Sequence, residues 1–207
     1  MNRKILVASR NAKKLAELRR VIEAAGITGL EVIGLDEAPE FPETPETGAT
    51  FEENALVKAR DGARATKLVC VADDSGLAVD ALNGMPGVLS ARWAGRHGDD
   101  AANTELLLGQ LADVPDDRRG AAFVSACALV VPGNFSPVGD EVVVRGEWRG
   151  SITRKPLGDN GFGYDPVFMP EGGERTSAQL EPTEKDALSH RGRALAQLVP
   201  MLRRIAG

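Results

Sequence analysis

The sequence is short of cysteine, of long apolar runs and of positive charge. Of its 207 residues only 2 are cysteines, Cys70 and Cys127. Both lie in apolar runs that read as strands, and no metal-type spacing links them. That points to buried free thiols rather than a disulfide framework, as suits a reducing compartment. No apolar run is long enough to span a bilayer, and Ile5 to Ala8 is too short for the core of a signal peptide. A cytoplasmic location with no membrane partner is expected. Lys and Arg number 25 against 30 Asp and Glu, for a formal net charge of −5. A chain without a basic excess has no general face for nucleic acid or membrane surfaces, so any phosphate site must be a local gathering of Lys and Arg. Repeats and low-complexity tracts are absent too, although residues 36 to 48 are biased toward acid and proline.

What is present is an ordinary globular composition, 43% hydrophobic and 27% charged. It is enough for one domain or two small lobes sharing a sheet. The distinctive stretch is Leu68-Val69-Cys70-Val71-Ala72-Asp73-Asp74-Ser75-Gly76-Leu77. Its Val-rich half reads as a strand buried on both faces of an α/β sheet, ending at Asp73. Open α/β sheets bind ligands at the carboxyl ends of their strands. Two adjacent carboxylates at such a place repel unless a cation or proton lies between them, and hard oxygen donors suit Mg²⁺. Asp73 and Asp74 are therefore candidates for metal ligands or a general base. The alternative is a plain polar turn, since Asp, Ser and Gly are turn formers.

Along the chain, Lys4 to Ala8 reads as a strand. The polar loop Ser9-Arg10-Asn11-Ala12-Lys13-Lys14 follows, then a helix carrying Leu15, Leu18 and Ile22 that stops at Gly26. A helix amino terminus surrounded by Ser, Asn and Lys can cradle phosphate, although the loop lacks the glycines of a Walker A motif. Glu31 to Leu35 is a second strand. The following acid- and proline-rich segment is a loop whose acids Glu37, Glu40 and Glu43 are expected to be solvated. Glu46 lies nearest its ordered end, where Thr50 opens a helix with Glu53 in capping-box position. A loop tied down there could bring Glu46 to the same cation as Asp74. The helix from Phe51 to about Ala65 buries Phe51, Ala55, Ala59 and Ala63, and Asn54 and Lys58 share one face of it. Leu77 to Leu82 with the Asn83-Gly84 turn suggests an antiparallel neighbour and hence a mixed sheet. Asp99 or Asp100 caps a further helix. Ala121 to Val131 is a long strand, Pro132 to Asp140 a turn region, and Glu141 to Trp148 its hairpin partner. In Gly161-Phe162-Gly163-Tyr164-Asp165, glycines flank aromatics, and Phe162 or Tyr164 is placed to stack on a flat ring. Lys185 and Ser189-His190-Arg191 precede a last helix in which Pro200 should cause a kink or an early end.

Taken in order, Ser9 to Lys14, Glu46-Thr47-Gly48 with Phe51 to Ala55, Ala72 to Leu77, Phe162 to Pro166 and Ser189 to Gly192 resemble the motifs of the inosine triphosphate pyrophosphatase family. They span nearly the whole chain, with Arg10 standing where some relatives have glycine. The resemblance implies a single domain over residues 1–207, with an elongated, two-lobed α/β fold. Its mixed β-sheet would be flanked by helices, with the nucleotide cleft between the lobes. It also implies a homodimer and a Mg²⁺-dependent reaction, the hydrolysis of ITP, dITP and XTP to nucleoside monophosphate and pyrophosphate. Carried over by motif, Asp74 is the proton acceptor and a Mg²⁺ ligand, with Glu46 and Asp73 as further acids of the metal site. Ser9, Arg10, Asn11, Ala12, Lys13, Lys14, Lys58, Ser75 and Lys185 contact phosphates and sugar. Phe162, Gly163, Tyr164, Asp165, His190 and Arg191 form the base site.

The chemistry agrees with that assignment. A triphosphate needs its charge offset before water can attack the α-phosphorus, and a carboxylate beside the metal can take the water's proton. A 6-oxo purine accepts a hydrogen bond from donors such as Arg191 or His190, which adenine's amino group would leave unpaired. An aspartyl-phosphate phosphatase would need Asp-x-Asp, which Asp73-Asp74-Ser75 is not. A non-catalytic nucleotide-binding regulator would bind ITP without releasing pyrophosphate.

Overall fold

The computed structural model describes residues 2–42, 44–133 and 141–207. The apolar runs become one six-stranded sheet: β1 (Arg3–Val7), β2 (Leu30–Ile33), β3 (Val69–Val79), β4 (Gly120–Val130), β5 (Glu141–Ile152) and β6 (Phe168–Pro170), in the order β2-β1-β3-β4-β5-β6. β1 pairs in parallel with both β2 and β3, whereas β5 and β6 are antiparallel. The sheet is therefore mixed, as expected. The helices are α1 (Ala12–Ala24), α2 (Phe51–Thr66), α3 (Asp100–Gln110), α4 (Pro182–Leu188) and α5 (His190–Ala206). Among the described residues no helix is long and apolar enough to cross a membrane.

Caps explain where the helices begin. Asn11 opens α1 by accepting the Lys13 N–H at 2.9 Å, and Gly26, just beyond the helix, has φ +63°. Thr50 opens α2 through the Glu53 N–H at 3.2 Å, while the Glu53 carboxylate reaches back to the N–H of Ala49 at 2.7 Å. This is the expected capping box displaced by one residue. Asp99, not Asp100, caps α3. α5 continues through Pro200 to Ala206 instead of ending early. Its apolar face, Leu195, Leu198 and Leu202, is buried in one continuous core, and that packing outweighs the hydrogen bond lost at proline.

The chain falls into two units, Met1–Asp74 with Ser125–Gly146 and Arg191–Gly207, and Ser75–Val124 with Glu147–His190. In the first, Ile5, Val7, Val69 and Val71 pack on Leu18 and Ile22 of α1 and on α5. The alternate residues face α2, where a Cβ on Gly62 would come within 2.6 Å of Cys70 Sγ and 3.0 Å of Leu6. Strand alternation thus buries β1 and β3 on both faces, as the sequence implies. Cys70 and Cys127 are buried free thiols, and burial pushes each up to about 12. The second unit has its own core of Leu77, Val79, Leu107, Phe123, Trp148 and Phe168.

Two expectations are corrected. β3 does not stop at Asp73 but runs on through Asp73-Asp74-Ser75-Gly76 to Val79. These turn-forming residues are held extended by tertiary contacts: Ser90 Oγ accepts the Leu77 N–H at 2.9 Å and lies where a Cβ of Gly76 would have to go. Leu77 to Leu82 is accordingly not a separate strand. It completes β3 and then turns, with Asn83 and Gly84 at φ 51° and 85°, and Ala78 bridges antiparallel to Pro86. Glu43 and residues 134–140 of the expected turn lie outside the described residues.

Candidate active site

Because successive side chains of a strand leave it on opposite faces, Asp73 and Asp74 meet different neighbours. Asp74 faces α2. Its Oδ2 accepts from Asn54 Nδ2 at 3.0 Å, and its Oδ1 lies 3.4 Å from Lys58 Nζ. The same ammonium donates to Glu46 Oε1 at 2.9 Å. The loop carrying Glu46 is fastened to α2 by the Thr44 N–H on Asp61 at 2.8 Å, the Gly48 N–H on Asn54 at 2.8 Å and the Ala49 N–H on Glu53 at 2.7 Å. Glu46 and Asp74 therefore converge on one cation, the Lys58 ammonium. Burial would lower the pKa of Lys58, but Asp74, Asp73 and Glu46 together more than offset that and raise it. Burial raises the Asp74 carboxyl, and the opposing effects of Lys58 and Asn54 do not cancel it.

Asp73 faces α1 and α5. Its Oδ2 lies 2.8 Å from Lys14 Nζ and accepts from Arg191 Nε at 3.2 Å, and Arg191 also donates to Glu17 Oε2 at 3.0 Å. Burial opposes its ionisation, but Lys14 and Arg191 hold it well below the usual carboxylate range. The strand's pleat gives Asp73 two basic side chains and turns Asp74 to the Glu46 side, while Lys58 acts on both acids. Among the described residues no three His, Cys, Asp or Glu side chains gather in a metal-binding cluster. Two carboxylates already drawn to one cation are nonetheless hard donors of the kind Mg²⁺ takes. Glu17 escapes a reading of the sequence, and its signal is only its place on the Lys14 side of α1.

At the start of α1, Ser9 Oγ accepts the Asn11 N–H at 3.2 Å, and the loop opens onto a cavity of about 660 Å³ lined by Ser9, Arg10, Ala12, Asp36 and Glu40 among others. The helix amino terminus and Lys14 thus lie beside the Asp73 cluster. The first unit brings together Ser9 to Lys14, Glu46, Lys58, Asp73, Asp74 and Arg191.

The second unit holds the glycine–aromatic motif. Tyr164 belongs to the core, and its hydroxyl donates to Ser90 O at 2.8 Å. Phe162 is 38% exposed beside a cavity of about 510 Å³, with Lys185 Nζ 5.5 Å from its ring centre. Of the two aromatics singled out by sequence, only Phe162 presents a ring to solvent. Buried Asp165 organises the loop: it accepts from the Phe162 N–H at 2.8 Å, Ser177 Oγ at 2.8 Å and Lys185 Nζ at 2.5 Å. Asp100 holds the Gly163 N–H at 2.7 Å. The His190 ring stacks on Phe123 with centres 4.9 Å apart. Ser177 and Ser90 carry no signal in the sequence, and Asp100 shows there only as a cap candidate, because each acts through a backbone or side-chain contact distant along the chain.

The class defined by this fold and these motifs is a mixed α/β protein with an acid–lysine centre at a sheet strand, and the chain belongs to the Ham1 family, whose model matches residues 5–201. It is 70% identical over 203 residues to a dITP/XTP pyrophosphatase of Nocardia farcinica, covering 98% of this chain and 96% of that protein. A nucleoside-triphosphatase/dITP/XTP pyrophosphatase from Mycobacterium abscessus, whose crystal structure is known, is 70% identical, with a TM-score of 0.77 over 97% of this chain and 100% of that one. A HAM1 protein structure from Coxiella burnetii is 42% identical, with a TM-score of 0.85 over 98% and 99% of the two chains.

Proposed function

We propose that this protein is a nucleoside triphosphate pyrophosphatase acting on the non-standard purine nucleotides dITP, XTP and ITP, which it removes from the nucleotide pool as monophosphate and pyrophosphate. The observation that carries the reading is the set Asp74, Lys58 and Glu46, with Asn54 behind it: a buried carboxylate of raised pKa beside an ammonium and a second acid. Asp74 is the general base. It accepts a proton from the attacking water as the oxygen bonds to the α-phosphorus and the bond to pyrophosphate breaks. Lys58, Lys14 and the amino terminus of α1 offset phosphate charge, with Ser9 to Lys13 and Ser75 as further contacts.

Glu46 and Asp74 are the residues that would hold Mg²⁺, which when bound offsets the charge of the triphosphate. Asp73 acts from its own face, keeping Lys14 and Arg191 in place. Phe162 offers its ring to the purine, fixed by Gly163 and Asp165. Lys185 and His190 contribute from the same unit, Tyr164 supports the loop from the core, and Arg191 follows His190 at the start of α5. The protein is proposed to work in the cytoplasm as a homodimer, on a small-molecule nucleotide and without nucleic acid.

The test is a panel of nucleoside triphosphates with and without Mg²⁺, reading pyrophosphate against orthophosphate. Pyrophosphate release favouring dITP, XTP and ITP over ATP, and dependent on Mg²⁺, is expected. Tight ITP binding without release would replace the enzyme reading with that of a regulator, and orthophosphate as the product would refute cleavage at the α-phosphorus.

A further inference from the structure

We infer that Asn54 is the positioning residue of this centre, a single amide that fixes both the orientation of Asp74 and the loop bearing Glu46; the inference rests on the reading of Asp74 as the base. Asn54 is 2% exposed and sits on the face of α2 that meets β3. Its Oδ1 accepts the Gly48 N–H at 2.8 Å and its Nδ2 donates to Asp74 Oδ2 at 3.0 Å. Each neighbour fixes the amide in the same sense. Flipped, it would aim its NH₂ at a backbone N–H and its oxygen at a carboxylate, losing both bonds for two repulsions.

The close approach depends on glycine, since a Cβ on Gly48 would come within 2.6 Å of Asn54 Oδ1 and 2.8 Å of Glu53 Cβ. With Oδ2 of Asp74 occupied, Oδ1 is the oxygen left toward Lys58 and hence toward Glu46, only two residues before Gly48. No other side chain of this size does both tasks. Asp accepts but cannot donate to Asp74, Ser is too short to span the gap, and Gln carries an extra methylene into a closed site.

The experiment separates the two bonds. Asn54→Asp keeps an acceptor for the Gly48 N–H but turns a carboxylate toward Asp74, whereas Asn54→Ala removes both bonds, and Gly48→Ala pushes the amide from the loop side. Steady-state pyrophosphate release from ITP, thermal melting, and hydrogen exchange across residues 44–50 are measured on the purified protein. Asn54→Asp should keep the Gly48 exchange rate of the parent while kcat falls on the order of 10- to 100-fold, as for lost outer partners of a catalytic group. KM should change by less than about 3-fold, because the contact acts on the reacting carboxylate rather than on binding. Asn54→Ala should lose kcat and also exchange faster at Gly48. Gly48→Ala should lower kcat with KM close to the parent's and with a lower melting temperature, and it carries the test should Asn54→Asp fail to fold. Parent-like kcat in Asn54→Asp or Gly48→Ala, or unchanged Gly48 exchange in Asn54→Ala, overturns the inference. An active parent, an inactive Asp74→Asn and a fully active Asn54→Asp would sink this inference alone. A parent that releases no pyrophosphate would sink the activity reading and this inference with it.

Discussion

Asp73 and Asp74 are the same chemical group one residue apart, and burial works against the charge of both. Lys14 and Arg191 reverse that effect at Asp73, whereas Asp74 has Lys58, which it shares with Glu46, and the Asn54 amide. One carboxyl is pushed down and the other up, a division that fits the proposed roles of a structural acid and a base. Asp74→Asn should therefore keep the parent melting temperature and lose about 100-fold or more of turnover, as expected for removal of a general base; parent-like pyrophosphate release would refute its role. Asp73 predicts a pH effect on stability. Its folded pKa lies below the ordinary 3.8, so its contribution is complete above 3.8 and is lost as the pH falls toward the lowered value. Denaturant unfolding of the parent should weaken across that acid window, and Asp73→Asn should flatten this part of the profile. Arg191→Ala strands buried Glu17, while Asp73 keeps Lys14, and breaking a buried pair in this way typically costs about 3–5 kcal/mol, to be read by the same denaturation. The sequence marked the carboxylate pair as chemical but not its division. Asp-Asp-Ser-Gly is made of turn formers, and what keeps it extended, Ser90 against Gly76, lies 14 or more residues further on.

α2 was the most legible element, because Phe51, Ala55, Ala59 and Ala63 recur at helical spacing and the cap residues announce its start. Its small residues also set how closely it lies on β1 and β3. Gly62→Ala would drive a methyl into Cys70 Sγ and Leu6, and overpacking of this kind costs about 1–3 kcal/mol, which should appear as a lower denaturation midpoint with an unchanged slope. The prolines of the loop before α2 mark it as irregular, and only part of its fastening shows in the sequence. Glu53 and Asn54 stand out as residues of the helix start, but Asp61, which holds the Thr44 N–H from a later turn, does not. The glycine–aromatic loop shows the opposite limit: composition singled out Phe162 and Tyr164 alike, and only the tertiary bond from Tyr164 to Ser90 O separates a core ring from an exposed one.

At the scale of the molecule, the alternation of apolar runs and helical spacings suffices for a mixed α/β sheet and for two lobes, whereas the borders between the units do not show. The borders are invisible because they fall inside elements, at Asp74/Ser75 in β3, Val124/Ser125 in β4 and Gly146/Glu147 in β5, with a fourth at the start of α5. Strands common to both units make separate melting costly, so a single cooperative unfolding transition is expected when Trp fluorescence and far-ultraviolet circular dichroism are compared; two separated midpoints would count against one folding domain over residues 1–207. The border after Asp74 has a consequence for anyone who would engineer this chain. Cutting there, or grafting either half onto another scaffold, severs the strand next to the proposed proton acceptor, so neither half can be borrowed as a ready-made module.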